Sequence, residues 1–280
     1  MSGPSAGRAP LGAFVVTLAP YDLGAAGAGV HRGLPSSTLS IMIPEEDPVQ
    51  VAWAGRSGPA GRMRAVVAGL HLGAAELRQE GPARGVWVRL TPLGARALLG
   101  VPASEPAGRA AELADVVPEL ADLPERLAAR PHGARREVLE DALLAGLARH
   151  GERAARSPVG AALAALRRAG RVEEAARLLG CSRRHLGAVV RSELGVTPKE
   201  YQRLVRFEAA RGRLVAAARA GEAGLAAVAA ASGFADQAHL SREWRAMAGC
   251  TPTEWLRAEG PAVLGGRPAV LGRRPAVLGR

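Results

Sequence analysis

Cysteine is almost missing from this 280-residue chain: Cys181 and Cys250 stand alone, in no CxxC pair and at no Cys/His ligand spacing. Neither a disulfide framework nor a zinc site is therefore indicated. No apolar run is long enough to span a bilayer. Residues 11–20 are apolar and follow Arg8, a faint likeness to a signal peptide. The charged part is a single residue, so an N-terminal strand or loose arm fits better, and a cytoplasmic protein is expected. Aromatic residues make up only 3%, and Lys199 is the single lysine among 37 basic residues, a skew that reads as genomic base bias rather than chemistry. No P-loop, HExxH motif or Ser/His/Asp set is present, which argues against an enzyme and against a cofactor. His31 and His71 are lone histidines near glycines, and ordinary polar contacts suit them better than metal ligation.

What remains is a globular composition with charge gathered at one end. The chain is 48% hydrophobic and 22% charged, and long enough for two domains with separate cores. The net charge of +11 is uneven. Residues 1–155 are neutral. Residues 156–260 hold 17 basic and 10 acidic side chains, a net +7, and residues 261–280 add four Arg and no acid. A positive half suits phosphate neutralisation, although a solvated arginine-rich surface would look the same.

Residues 1–30 are rich in Gly, Ala and Pro and read as a flexible lead, with one strand at 13–18. Short β-like runs follow at 38–43, 49–53, 65–70 and 85–91, divided by turn formers such as Pro44-Glu45-Glu46-Asp47-Pro48. Helices are expected at 92–99, 118–130 and 135–150, the last with an apolar stripe of Leu139, Leu143, Leu144 and Leu147. Residues 31–155 thus read as a small α+β domain for sensing, regulation or dimerisation. Residues 156–260 read as helical throughout. Pro-Ala-Val-Leu-Gly recurs at Pro261, Pro268 and Pro275. Pro and Gly in every unit oppose a coiled coil, so 261–280 read as a disordered basic tail.

The helical region contains a repeat. Cys181-Ser182-Arg183-Arg184-His185-Leu186 through Gly195-Val196-Thr197-Pro198 returns as Ala235-Asp236-Gln237-Ala238-His239-Leu240 through Gly249-Cys250-Thr251-Pro252. A shift of 54 carries Leu186 to Leu240, Thr197 to Thr251 and Tyr201 to Trp255. Each copy has an alanine-rich helix, a glycine turn, an N-cap (Ser182 or Asp236) and a second helix. This is the outline of a helix-turn-helix, which lays its second helix in a DNA major groove. In the first copy Leu186, Val189 or Val190, and Leu194 should be buried, leaving Arg183, Arg184, Gly187, Ala188 and Arg191 toward solvent or DNA. In the second, Leu240, Trp244 and Met247 should be buried, with Gln237, Ala238, Ser241, Arg242 and Arg245 outward. Arg can bond guanine O6 and N7, and Gln adenine N6 and N7. His185 and His239 share one register, which suits a phosphate contact and a structural hydrogen bond equally. Between the copies, an uninterrupted helix over 199–218 would span roughly 25–30 Å, close to the ~34 Å turn of B-DNA.

Residues 171–259 resemble the DNA-binding domain of the AraC/XylS family of transcription regulators. The resemblance rests on Ser182 to Leu186, Gly195-Val196-Thr197-Pro198, Arg206-Phe207 and above all Ser232-Gly233-Phe234-Ala235-Asp236-Gln237-Ala238-His239-Leu240-Ser241-Arg242-Glu243-Trp244. It implies two helix-turn-helix units joined by a long helix, promoter DNA as partner, and activation through RNA polymerase. Base contacts would fall on Arg184 and Arg183 in the first unit, and on Gln237, Ala238, Ser241 and Arg242 in the second. Gly187 and Ala188 stand where the family often carries longer polar residues, and Val190 replaces a common Phe, so the first unit should read fewer bases. Thr91-Pro92-Leu93-Gly94-Ala95-Arg96-Ala97-Leu98-Leu99-Gly100 looks like the N-terminal region of many actinobacterial members. That likeness leaves a small-molecule effector and a homodimer open without identifying a ligand.

The preferred reading is a regulator: a small α+β domain followed by an all-α, homeodomain-like double helix-turn-helix. An enzyme targeted to DNA is a second reading. Alkylation-repair proteins show that arrangement, but they need several cysteines and residues 1–155 contain none. A third is a nonspecific architectural binder driven by the arginine-rich tail. A regulator should prefer its site over random DNA by about 10³-fold or more.

Overall fold

In a computed structural model, residues 9–22, 29–53, 61–79, 84–221 and 224–265 are described. The strands among them are β1 (Val15–Asp22), β2 (Gly29–Gly33), β3 (Leu39–Pro44), β4 (Val49–Trp53), β5 (Gly61–Met63), β6 (Val66–Ala68), β7 (Ala75–Gln79), β8 (Arg84–Leu90) and β9 (Ala110–Glu112). On β3, Leu39, Ile41 and Ile43 are buried while Ser40, Met42 and Pro44 are half-buried, the two-residue period of a strand with one face on a core. One antiparallel sheet runs β1-β8-β3-β6-β9, the other β2-β7-β4-β5. Val49, Val51, Val66 and Ala75 form a small apolar cluster that joins the two sheets.

Leu39, Ile41, Val88 and Leu90 of the first sheet belong to a larger cluster with the helices. These begin with α1 (Pro92–Gly94), which runs into a π-helical turn at Ala95–Leu99 and is capped by Thr91 Oγ1, accepting from Gly94 N–H. α2 (Leu113–Val116), α3 (Leu123–Ala128) and α4 (Arg135–Ala155) follow. Gly146 lets α4 lie directly on the π-helical turn, since a Cβ there would be 1.9 Å from Leu98 O.

Three expectations need correction. The lead is folded from Ala9 onward: a 3₁₀ turn at Ala9–Ala13 and β1 bury Leu11, Val15 and Leu18. Burying those three outweighs a Gly/Ala/Pro-rich composition that suggested slack chain. Residues 1–8 lie outside the described residues. The helix expected at 118–130 is broken into a 3₁₀ turn at Pro118–Leu120 and the short α3, where Pro124 sits in the first turn and lacks the N–H to continue from the preceding turn. β2, β5, β7 and β9 escaped the sequence pattern, being short and flanked or interrupted by polar residues.

The remaining helices are α5 (Val159–Arg168), α6 (Val172–Leu178), α7 (Arg183–Leu194), α8 (Pro198–Arg219), α9 (Leu225–Ala231), α10 (Gln237–Ala248) and α11 (Pro252–Gly265). α11 passes through Pro261, one turn into the stretch read as a tail; residues 266–280, with the other two copies of the pentapeptide, lie outside the described residues. The large apolar cluster continues from the sheet through α4 and α5 to Tyr201, Phe207 and Trp244.

Candidate nucleic-acid interface

The two helix-turn-helix units are built by the same local chemistry. In the first, α6 ends at a turn through Gly180 (φ 63°) and Ser182 Oγ accepts the His185 N–H at 3.1 Å, starting α7. In the second, α9 ends at Gly233 (φ 77°) and Asp236 Oδ1 accepts the His239 N–H at 2.6 Å, starting α10. A left-handed glycine and a side-chain acceptor for unpaired helix N–H groups are what so sharp a turn needs. The shift of 54 holds from the caps onward, but Gly180 and Gly233 differ by 53. The second turn therefore carries one more residue; its Phe234 is buried and meets the His239 ring edge-on at 5.3 Å. His239 Nδ1 also accepts the Ala235 N–H at 3.3 Å, a structural role, whereas the His185 side chain is exposed.

Both units then close with a capping box. Thr197 Oγ1 accepts from Glu200 N–H at 3.2 Å and Glu200 Oε2 from Thr197 N–H at 2.7 Å, opening α8. Thr251 and Glu254 repeat this at 2.7 and 3.2 Å, opening α11. Those hydrogen bonds from Thr251 hold the Glu254 carboxyl below its ordinary value.

Leu186, Val190 and Leu194 of α7 are buried, as are Leu240, Trp244 and Met247 of α10, so the opposite faces are free. α8 supports the second unit through Phe207, whose ring lies 4.8 Å from that of Trp244, and through Arg203, which grips Glu243 at 3.0 and 3.3 Å. Arg184, Arg191, Gln237, Ala238, Arg242 and Arg245 are exposed, and Ser241 is half-buried. Arg184 and Arg242 pair with no acid among the described residues. Two residues depart from expectation. Arg183 is exposed but paired with Glu173 of α6 at 2.7 Å; a hydrogen bond from its own backbone N–H, and then this contact, draw the Glu173 carboxyl down. Gly187 is buried rather than outward, because the Arg191 guanidinium folds back to within 3.3 Å of where a Cβ would be.

The helical half also presents three carboxylates to the N-terminal half, none of which the sequence reading singled out. Glu193 on α7 lies in the fork of Arg96. Glu259 on α11 accepts from Arg32 N–H at 2.9 Å and meets His31 Nδ1 at 3.2 Å. Glu208, midway along α8, is bound by Arg89, by Ser36 Oγ at 2.9 Å and by Ser37 Oγ, with Arg211 at 3.9 Å. Burial works to raise the Glu208 carboxyl, but Arg89, Arg211 and the two hydroxyls outweigh it and hold it at about 2. Burial and the like charge of Arg89 bring Arg211 down to about 10 against the pull of Glu208. Their only sequence signal is that they are acids within a basic region. His71 makes a local contact, Nδ1–H donating to Gly73 O at 2.6 Å, and no cluster of three or more potential metal ligands occurs among the described residues. No described helix is long and apolar enough to cross a membrane.

A sheet-rich domain followed by two helix-turn-helix units on one long helix defines a two-domain protein with a DNA-binding fold at its C-terminal end. Residues 175–258 match the family described as "Helix-turn-helix domain". No curated protein matches the chain. Among solved structures, ToxT from Vibrio cholerae O395 aligns with a TM-score of 0.50 at 11% identity, over 88% of this chain and 98% of that one. A P21 crystal form of Vibrio cholerae ToxT gives 0.52 at 12%, over 86% and 98%. ToxT from strain O395 bound to (E)-4-(8-methylnaphthalen-1-yl)but-3-enoic acid gives 0.51 at 12%, over 86% and 99%. At such identities the likeness is one of fold: both chains share the order of sheet-rich and helical regions.

Proposed function

We propose that the protein is a sequence-specific transcription regulator that reads two adjacent major-groove segments, working in the cytoplasm without catalysing a reaction. One observation carries this reading: two capped recognition helices with exposed Arg and Gln side chains flank α8, a helix of 22 residues. At 1.5 Å per residue α8 is roughly 33 Å long, against about 34 Å for one turn of B-DNA. Activation through RNA polymerase and a homodimeric state belong to the same reading. So does a small-molecule effector at the N-terminal domain, which the organic acid bound to ToxT supports.

Selection of fragments from sheared genomic DNA by the purified chain, followed by footprinting, tests the proposal. Two protected patches about one helical turn apart are expected, with at least about 10³-fold preference over random DNA. One short patch, or equal affinity for any duplex, would overturn it.

Two variants assign the contacts. Arg242→Ala should weaken the selected site by roughly 1–3 kcal/mol and relax base preference at one position. An equal loss on random DNA would make Arg242 a phosphate contact. Removing residues 266–280 takes away Arg267, Arg273, Arg274 and Arg280, so nonspecific binding should weaken and the salt dependence flatten. An unchanged salt slope would show that these arginines do not meet DNA.

A further inference from the structure

Two copies of one motif allow a comparison within the molecule. Both recognition helices end on a left-handed glycine, Gly195 at φ 72° and Gly249 at φ 70°. Their surroundings differ. A Cβ on Gly249 would meet nothing within 4 Å, whereas one on Gly195 would lie 2.4 Å from the Cβ of Ala107 and 3.5 Å from the Cα of Ser104, both in the N-terminal domain. Ser104 N–H donates to Glu193 O at 2.9 Å and Ser104 Oγ–H to Ser192 O at 2.7 Å. Both acceptors are last-turn carbonyls, which have no partner further along their own helix. Arg96 Nε and a terminal nitrogen hold the Glu193 carboxylate at 2.9 and 2.7 Å, and the two side chains are only 17% and 15% exposed. A two-pronged guanidinium grip fixes orientation as well as distance. At the matching places in α10 stand Ala246, exposed, and Met247, buried. The N-terminal domain reaches the second unit through Glu259 on α11, by His31 and Arg32.

We propose that the N-terminal domain completes the first reading unit. Arg96 and Ser104 are positioning residues: they clamp the C-terminal end of α7 and so set the angle at which Arg184 meets DNA. α10 is set by its own unit and by α8. The inference rests on the DNA reading proposed above and adds a division of labour to it, in which a displacement of the 96–107 region re-aims one reading helix and leaves the other in place.

The test compares the full-length parent, Arg96→Ala, Gly195→Ala and Gly249→Ala by footprinting and titration on a duplex that the parent selects from sheared genomic DNA. Both glycine variants carry the same left-handed strain, but only Gly195→Ala drives a methyl group into the N-terminal domain. Arg96→Ala and Gly195→Ala should lose protection over one groove segment, weakening binding about tenfold. Gly249→Ala should melt lower yet keep the parental ratio of protection between the two segments. Equal weakening over both segments in Arg96→Ala and Gly195→Ala, or no change in either, overturns the proposal while leaving the DNA reading intact. A parent that selects no duplex overturns both.

Discussion

Trp244→Ala should destabilise the protein by about 3–5 kcal/mol, as large-to-small changes at closely packed aromatic sites do. Trp244 is fully buried, with Phe207 4.8 Å away on one side and Trp255 5.6 Å away on the other. Removing the indole opens a cavity between α8, α10 and α11, which a backbone held by capping boxes at Thr197 and Thr251 cannot easily close. The indole N–H of Trp244 has no hydrogen-bond partner among the described residues. Trp244→Phe discards that unpaired donor along with some packing, so it should cost distinctly less than the alanine variant. Urea unfolding of parent and both variants measures this. An alanine variant with the parental midpoint would mean that the second unit is not organised around this residue.

Glu208→Ala is the second large effect. It leaves Arg89 and Arg211 close together without their shared carboxylate, and breaking a buried ion pair from one side typically costs about 3–5 kcal/mol. The side chains of Arg89 and Glu208 are 12% and 19% exposed, so solvent does little to replace what is lost. Glu208→Gln can keep hydrogen bonds with Ser36 and Ser37 and should lose less. The pH dependence has a definite sign. Because the folded carboxyl is held at about 2 against an ordinary 4.5, its contribution is complete above pH 4.5 and disappears as the pH falls through 2. A shift of that size corresponds to about 3 kcal/mol. Stability measured from pH 6 down to pH 2 should therefore fall more for the parent than for Glu208→Gln, the two curves converging at the acid end. Parallel curves would show that the Glu208 carboxylate contributes no pH-dependent stability.

The helix-turn-helix units were legible because their determinants are local. Ser182 and Asp236 as caps, Gly180 and Gly233 as turns, and the Thr-Pro starts of α8 and α11 each act within a few residues. Apolar spacing then assigned Leu186, Leu240 and Trp244 to the core before any tertiary contact was known. The N-terminal half was harder to read. β5 and β9 have three residues each and β2 carries His31 and Arg32, so neither length nor alternation marks them. Their strand character comes from the hydrogen bonds that partner strands offer.

Chain order, periodicity and capping chemistry determined by themselves that two similar helix-turn-helix units stand in the C-terminal half, since each feature is settled within a turn or two of backbone. Only the tertiary structure decided which of their charges are free. Arg183 is taken by Glu173, Arg191 folds over Gly187, and Glu193, Glu208 and Glu259 turn to partners that the N-terminal half provides. Such pairs join residues from 10 to 228 positions apart in the chain. An ion pair has no periodicity to betray it, because its partners are chosen by proximity in the folded core rather than along the sequence.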